Sequence, residues 1–251
     1  MKILKNFVLA LAECATHVNL LPTKARFGFT LAEVLITLGI IGVVAAMTIP
    51  TLMSTFAKQR TETQLKAFYS RINQTIKMSI ADNGDPDGWV EERAYSYDEQ
   101  VEFLKQYIFP YMKNLGYKEC TIRQIGVCIY LIDGGAMWFS IDSNGGDIEY
   151  YVNQKDTDLI YQDRKTVVNL PRKKFPFQLA KATGKDLGDG KIDSTRTSTD
   201  FITPYTFMWD GTEEGLTKNG TWACVKGCTN CGYCTKMIQL NGWKIPKNYP
   251  W

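Results

Sequence analysis

Side-chain chemistry in this 251-residue sequence could reside in three places: a cysteine cluster, an acidic residue inside an apolar run, and a glycine-rich acidic loop. Cys224, Cys228, Cys231 and Cys234 are spaced x3, x2 and x2, with Cys120 and Cys128 far upstream and Cys14 near the start. Four thiols so close can bind zinc or an iron–sulfur cluster, or can oxidise to disulfides. Asp186, Asp189 and Asp193 lie among glycines, an oxygen-rich loop that could hold calcium or stand as a solvated turn; the Asp-x-Asp-x-Asp-Gly order and closing Glu of an EF-hand are missing. Glu33 lies one turn into the apolar run Phe29 to Ile49. An ionised carboxylate in a membrane costs about 3 kcal/mol unless it is partnered, so Glu33 asks for a cation.

The elements that would position these groups follow from patterning. The run Phe29 to Ile49 is apolar apart from three threonines, two glycines and Glu33. As a helix it would reach roughly 30 Å, enough to cross the hydrocarbon core of a bilayer. Lys24 and Arg26 precede it, and the next basic pair, Lys58 and Arg60, comes well after it. That asymmetry keeps the N-terminal side cytoplasmic and exports the remainder. After Pro50, where a kink or local unwinding is expected, apolar residues recur at Leu52, Phe56, Leu65, Phe68, Ile72, Ile76 and Ile80, mostly at helical spacing. Asn83-Gly84-Asp85-Pro86-Asp87-Gly88 stops the helix near Ala81. Tyr97 to Lys113 reads as a second helix. Val127 to Ile132, Ala136 to Ile141 and Ile148 to Val152, joined by Asp133-Gly134-Gly135 and Ser143 to Gly146, read as an antiparallel meander. Residues 153–220 read as mostly loop with short strands.

Several functions are excluded by what is missing. The single histidine, His17, argues against imidazole catalysis and histidine-ligated metals. A net charge of +3 over a 22% charged fraction, without blocks of one sign, leaves no nucleic-acid footprint. There is no P-loop, GxSxG, HExxH or dinucleotide fingerprint, and no enzyme is read from the chain.

Gly28-Phe29-Thr30-Leu31-Ala32-Glu33, followed by the apolar stretch and Pro50, resembles the N-terminal signature of type IV prepilins and type II secretion pseudopilins. The resemblance covers about residues 24–80. It implies cleavage after Gly28 by a membrane aspartyl peptidase and N-methylation of Phe29. It also implies that Glu33 is the assembly residue, pairing with the N-terminal amine of a neighbouring subunit. That amine is the cation the carboxylate requires. An α+β, pilin-like fold follows: a leader over 1–28, an anchoring and assembly helix over 29–49 closed by Pro50, an amphipathic continuation over 50–81, and an exported domain over 82–251. Within the leader, Phe7 to Ala12 resembles the apolar core of an ordinary signal peptide, and a cut there would still leave the anchor.

The expected partners are other pilin or pseudopilin subunits, the prepilin peptidase and the inner membrane, with no nucleic acid and no cofactor unless calcium occupies the Asp186 loop. A minor pilin displaying an adhesive or DNA-uptake surface is the alternative role. Removing the leader takes Cys14 and His17 with it and leaves six cysteines. In an oxidising compartment these favour disulfides over a metal centre. Cys120 and Cys128 pair with each other or with the C-terminal group. Because long loops gain most from cross-linking, at least one bridge is expected to join the two groups. Trp243, Tyr249 and Trp251 could form an exposed aromatic surface or buried anchors.

Overall fold

The computed structural model describes residues 28–86, 89, 96–120, 125–142, 145–157, 170–179, 201–218 and 220–251. The leader and its Phe7 to Ala12 stretch, Cys14, His17, Lys24, Arg26 and the Asp186, Asp189 and Asp193 loop lie outside them. The chain divides into two compact units, residues 1–52 and 53–251.

Helix α1 runs from Leu31 to Asn83. In the first unit its leucines, isoleucines and valines are exposed from Leu31 through Ile49, and this stretch is apolar and long enough to cross a membrane. Such a surface belongs in lipid or against like helices. α1 runs unbroken through Pro50, so the local unwinding expected there does not occur. A proline removes a single backbone donor, and the bonds of neighbouring turns hold the rest.

In the second unit Leu65, Phe68, Ile72 and Ile76 are buried, spaced by three and four along one face, while Phe56 is exposed. The helix ends two residues beyond Ala81. Gly84 adopts φ +77° and its N–H donates to the Ile80 carbonyl at 2.9 Å, a left-handed cap that glycine accepts without cost.

Helix α2 spans Tyr97–Tyr107, shorter than the expected Tyr97 to Lys113. Its start is a reciprocal capping box: the Ser96 hydroxyl accepts from the Glu99 N–H, and the Glu99 carboxylate accepts from the Ser96 N–H. Those bonds hold the exposed Glu99 carboxyl below its usual range. Pro110 disfavours helical backbone at Phe109, which explains the early stop.

Six strands then form one antiparallel sheet in the order β1 to β6 among the described residues. They are β1 Asn114–Glu119, β2 Val127–Leu131, β3 Ala136–Asp142, β4 Gly145–Tyr151, β5 Lys174–Leu179 and β6 Ile202–Pro204. The expected meander is present as β2 to β4, with β4 beginning three residues before Ile148. The fold is α+β: a long N-terminal helix whose second part packs on an antiparallel sheet.

Cross-strand pairing places Met137, Phe139, Ile148, Tyr150, Phe175 and Phe177 on one face. Phe68 of α1 stacks there on Tyr150 at 4.3 Å and tilts against Phe177 at 5.3 Å, while Phe103 of α2 stacks on Phe139 at 5.6 Å. The opposite face is buried too, at Trp138, Glu149, Tyr151 and Lys174. After β6 come the short helices α3, Gly215–Lys218, and α4, Cys234–Leu240.

Candidate functional site

Two groups of residues carry chemistry, one in each unit. At the N-terminal end, Phe29 is exposed and α1 begins two residues later. The Thr30 N–H and hydroxyl both donate to Oε2 of Glu33 at 2.8 Å, and the Glu33 N–H donates to the Thr30 hydroxyl at 3.2 Å. The segment Phe29 to Glu33 thereby forms its own N-terminal cap, with the carboxylate at the positive end of the helix dipole. Both side-chain bonds fall on Oε2. Among the described residues Oε1 accepts none, so the carboxylate can take a further donor. A β-carbon added at Gly28 would meet no atom within 4 Å, which leaves the backbone around the Gly28–Phe29 bond uncrowded.

In the second unit the six cysteines form three disulfides: Cys120–Cys128, Cys224–Cys234 and Cys228–Cys231, with Cα separations of 5.4, 4.8 and 5.3 Å. All lie within the span a disulfide can bridge. The expectation of a bridge between the two groups is wrong. Loop length governs how far a cross-link restricts the unfolded chain, but which sulfurs meet is decided in the folded one. The β1–β2 ladder sets Lys118 opposite Cys128, and the Cys120 N–H donates to the Gly126 carbonyl at 3.0 Å, bringing Cys120 beside Cys128. At the other end the Tyr233 N–H donates to the Trp222 carbonyl at 3.0 Å, closing the loop so that Cys224 and Cys234 face each other.

The sulfurs of Cys228, Cys231 and Cys234 lie within 4.8 Å of one another, a grouping that reduced thiols could offer to a metal. As disulfides they have no thiolate to give.

The C-terminal aromatics serve as anchors. Trp243 packs on Tyr69 of α1 at 4.6 Å, and Trp251 lies under the Lys58 ammonium and the Arg172 guanidinium at 5.8 and 5.4 Å. The Tyr249 hydroxyl donates to the Pro171 carbonyl, and burial pushes its phenol well above the usual range. Glu62 of α1 accepts from the Lys244 ammonium and the Ile245 N–H, both at 2.9 Å.

Sequence reasoning missed a buried ion pair. Lys174 on β5 lies 2.9 Å from Glu149 on β4, each side chain 1% exposed, and the Tyr151 hydroxyl donates to the other Glu149 oxygen. Nothing in their spacing marks them, because their sequence separation of 25 is closed only by the β4–β5 register, which sets Tyr151 opposite Lys174. Charges so placed brace the domain.

Residues 51–251 match a family described as "Family of unknown function (DUF6613)", and residues 23–49 match the prokaryotic N-terminal methylation motif, the type IV prepilin signature. No curated protein and no solved structure matches the chain.

Proposed function

The chain belongs to DUF6613, a family of unknown function, and we propose that it is a structural subunit of a type IV pilus or type II secretion pseudopilus, cut after Gly28, methylated at Phe29 and assembled through α1. The N-terminal methylation motif supports a pilin-like protein in general, and the apolar helix that follows fits a membrane anchor. The observation that carries the finer reading is the coincidence, within six residues, of the Gly28–Phe29 junction, an exposed apolar helix and a carboxylate with one oxygen open. Released by cleavage, the Phe29 amine becomes the cation that Glu33 of a neighbouring subunit requires in lipid. Lys24 and Arg26 hold the N-terminus in the cytoplasm, and the disulfide-braced domain is exported.

Intact mass and N-terminal sequencing of the protein recovered from membranes test this. A chain beginning at N-methylated Phe29 is expected. One that retains Met1, or begins at another residue, refutes the assignment. A displayed binding module is the second reading, favoured by the exposure of Phe207 and Met208 at 38% and 52%, with the Phe207 ring edge-on to Trp222. Deletion separates the two roles: loss of secretion supports the pseudopilus, and loss of adhesion or DNA uptake supports the binder.

A further inference from the structure

The three disulfides are not equivalent. Cys228–Cys231 closes the shortest loop, at a sequence separation of 3 against 8 and 10, so it restricts the unfolded chain least and gains least stability from doing so. It is also the accessible one. Cys228 is half-buried in a loop where Val225, Lys226, Gly227 and Thr229 are exposed, whereas Cys120, Cys128, Cys224, Cys231 and Cys234 are all buried. Cys231 adopts φ +52°, a left-handed conformation that its β-carbon disfavours and that the cross-link helps to hold. These features make the Cys228–Cys231 bond the easiest of the three to open. The 4.8 Å grouping of the Cys228, Cys231 and Cys234 sulfurs then places a freed Cys231 beside the Cys224–Cys234 bond.

We propose that Cys228–Cys231 is an exchange site for an external dithiol, with Cys224–Cys234 as a second, internal acceptor. One thiolate of the dithiol attacks the Cys228 sulfur, forming a mixed disulfide and releasing Cys231 as thiolate. The dithiol's other thiolate then displaces Cys228; the dithiol leaves oxidised to its disulfide, and Cys228 and Cys231 are left reduced by two electrons. In the internal step the Cys231 thiolate attacks the Cys234 sulfur, forming Cys231–Cys234 and expelling Cys224 as thiolate, with no net redox change. The C-terminal cluster can thus re-pair while Cys120–Cys128 stays closed.

Graded reduction of the full-length protein in detergent with dithiothreitol, followed by acid quench, alkylation and peptide mapping, tests the proposal. Cys228 and Cys231 are expected to label at a dithiothreitol concentration at least ten-fold below that needed for Cys120 and Cys128, with the near-ultraviolet circular dichroism retained. Peptides joining Cys231 to Cys234, with Cys224 labelled, are expected among the partly reduced species. Simultaneous opening of all three bridges, together with loss of the dichroism, overturns the exchange site. A Cys228→Ser variant leaves one odd thiol in the cluster and is expected to contain both Cys224–Cys234, with Cys231 free, and Cys231–Cys234, with Cys224 free. If it contains only Cys224–Cys234 with Cys231 free, the internal step is refuted. If that variant does not fold, the partly reduced wild-type map decides the same point.

Discussion

Phe56 and Phe68 lie on the same helix, yet replacing each with alanine should have very different consequences for the second unit. Phe68 is 1% exposed and wedged between Tyr150 and Phe177, whereas Phe56 is 60% exposed. A buried aromatic removes about 150 Å² or more from water, so at about 25 cal/mol per Å² the lost transfer energy is about 4 kcal/mol. The cavity and the broken ring contacts keep the total within the ~3–5 kcal/mol typical of Phe→Ala in a core. With a urea slope of about 2 kcal/mol per M, the midpoint of Phe68→Ala should fall by about 2 M without a change of slope. Phe56→Ala should stay within about 0.5 kcal/mol of wild type. Urea titration of the detergent-solubilised protein, followed by near-ultraviolet circular dichroism, provides the measurement. A loss below about 1 kcal/mol for Phe68→Ala would refute the claim that α1 is the spine on which the sheet is built.

Glu33→Ala should insert into membranes at least as well as wild type, since a costly charge is removed, yet fail to enter filaments; normal incorporation in a shearing and immunoblot assay would remove the amine-pairing role. Lys174→Met should cost about 3–5 kcal/mol in the same urea titration, because it removes one member of a buried ion pair. Adding Glu149→Gln removes the carboxylate charge while keeping an oxygen for the Tyr151 hydroxyl, so part of the loss should return; equal stability of the single and double variants would show that this charge is not the source of the loss. Alkaline pH supplies a further check. Burial raises the phenols of Tyr150 and Tyr249 above their ordinary range, so their contribution is fully present below about pH 10 and is lost above it, as unfolded phenols ionise while folded ones stay neutral. Stability should fall by about 1.4 kcal/mol per pH unit for each of the two above pH 10, and tyrosinate absorbance that rises in step with exposed phenols, before unfolding, would contradict it.

The features legible in the sequence are those whose cause lies close along the chain. A membrane-length helix follows from a long apolar run, its end near Ala81 from the two glycines and the proline after it, and the β2–β3 hairpin from Asp133-Gly134-Gly135 between two apolar stretches. β1 was not legible: Asn-Leu-Gly-Tyr-Lys-Glu has little strand character, Leu115 and Tyr117 are exposed, and Gly116 breaks the register. It is a strand because β2 supplies its hydrogen bonds and Cys120–Cys128 closes the end of the ladder. β5 was hidden for a related reason, since Lys174 and Pro176 read as loop until Glu149 neutralises the one and the β4–β5 register accommodates the other.

The candidate site divides in the same way. Gly28, Phe29 and Glu33 can be read from the chain because Thr30 and Glu33 are three residues apart and one helical turn brings them together. By itself, then, the sequence determined the apolar helix of membrane length, the prepilin-type signature and the cysteine-rich character of the rest. Only the tertiary structure decided that each of the six described cysteines pairs locally, that Lys174 and Glu149 form a buried ion pair, and that Tyr249 is tied to Pro171, 78 residues earlier. The physical reason is that periodicity and motif spacing act over one or two turns, whereas strand register and the burial of charge depend on contacts that exist only once distant segments have packed.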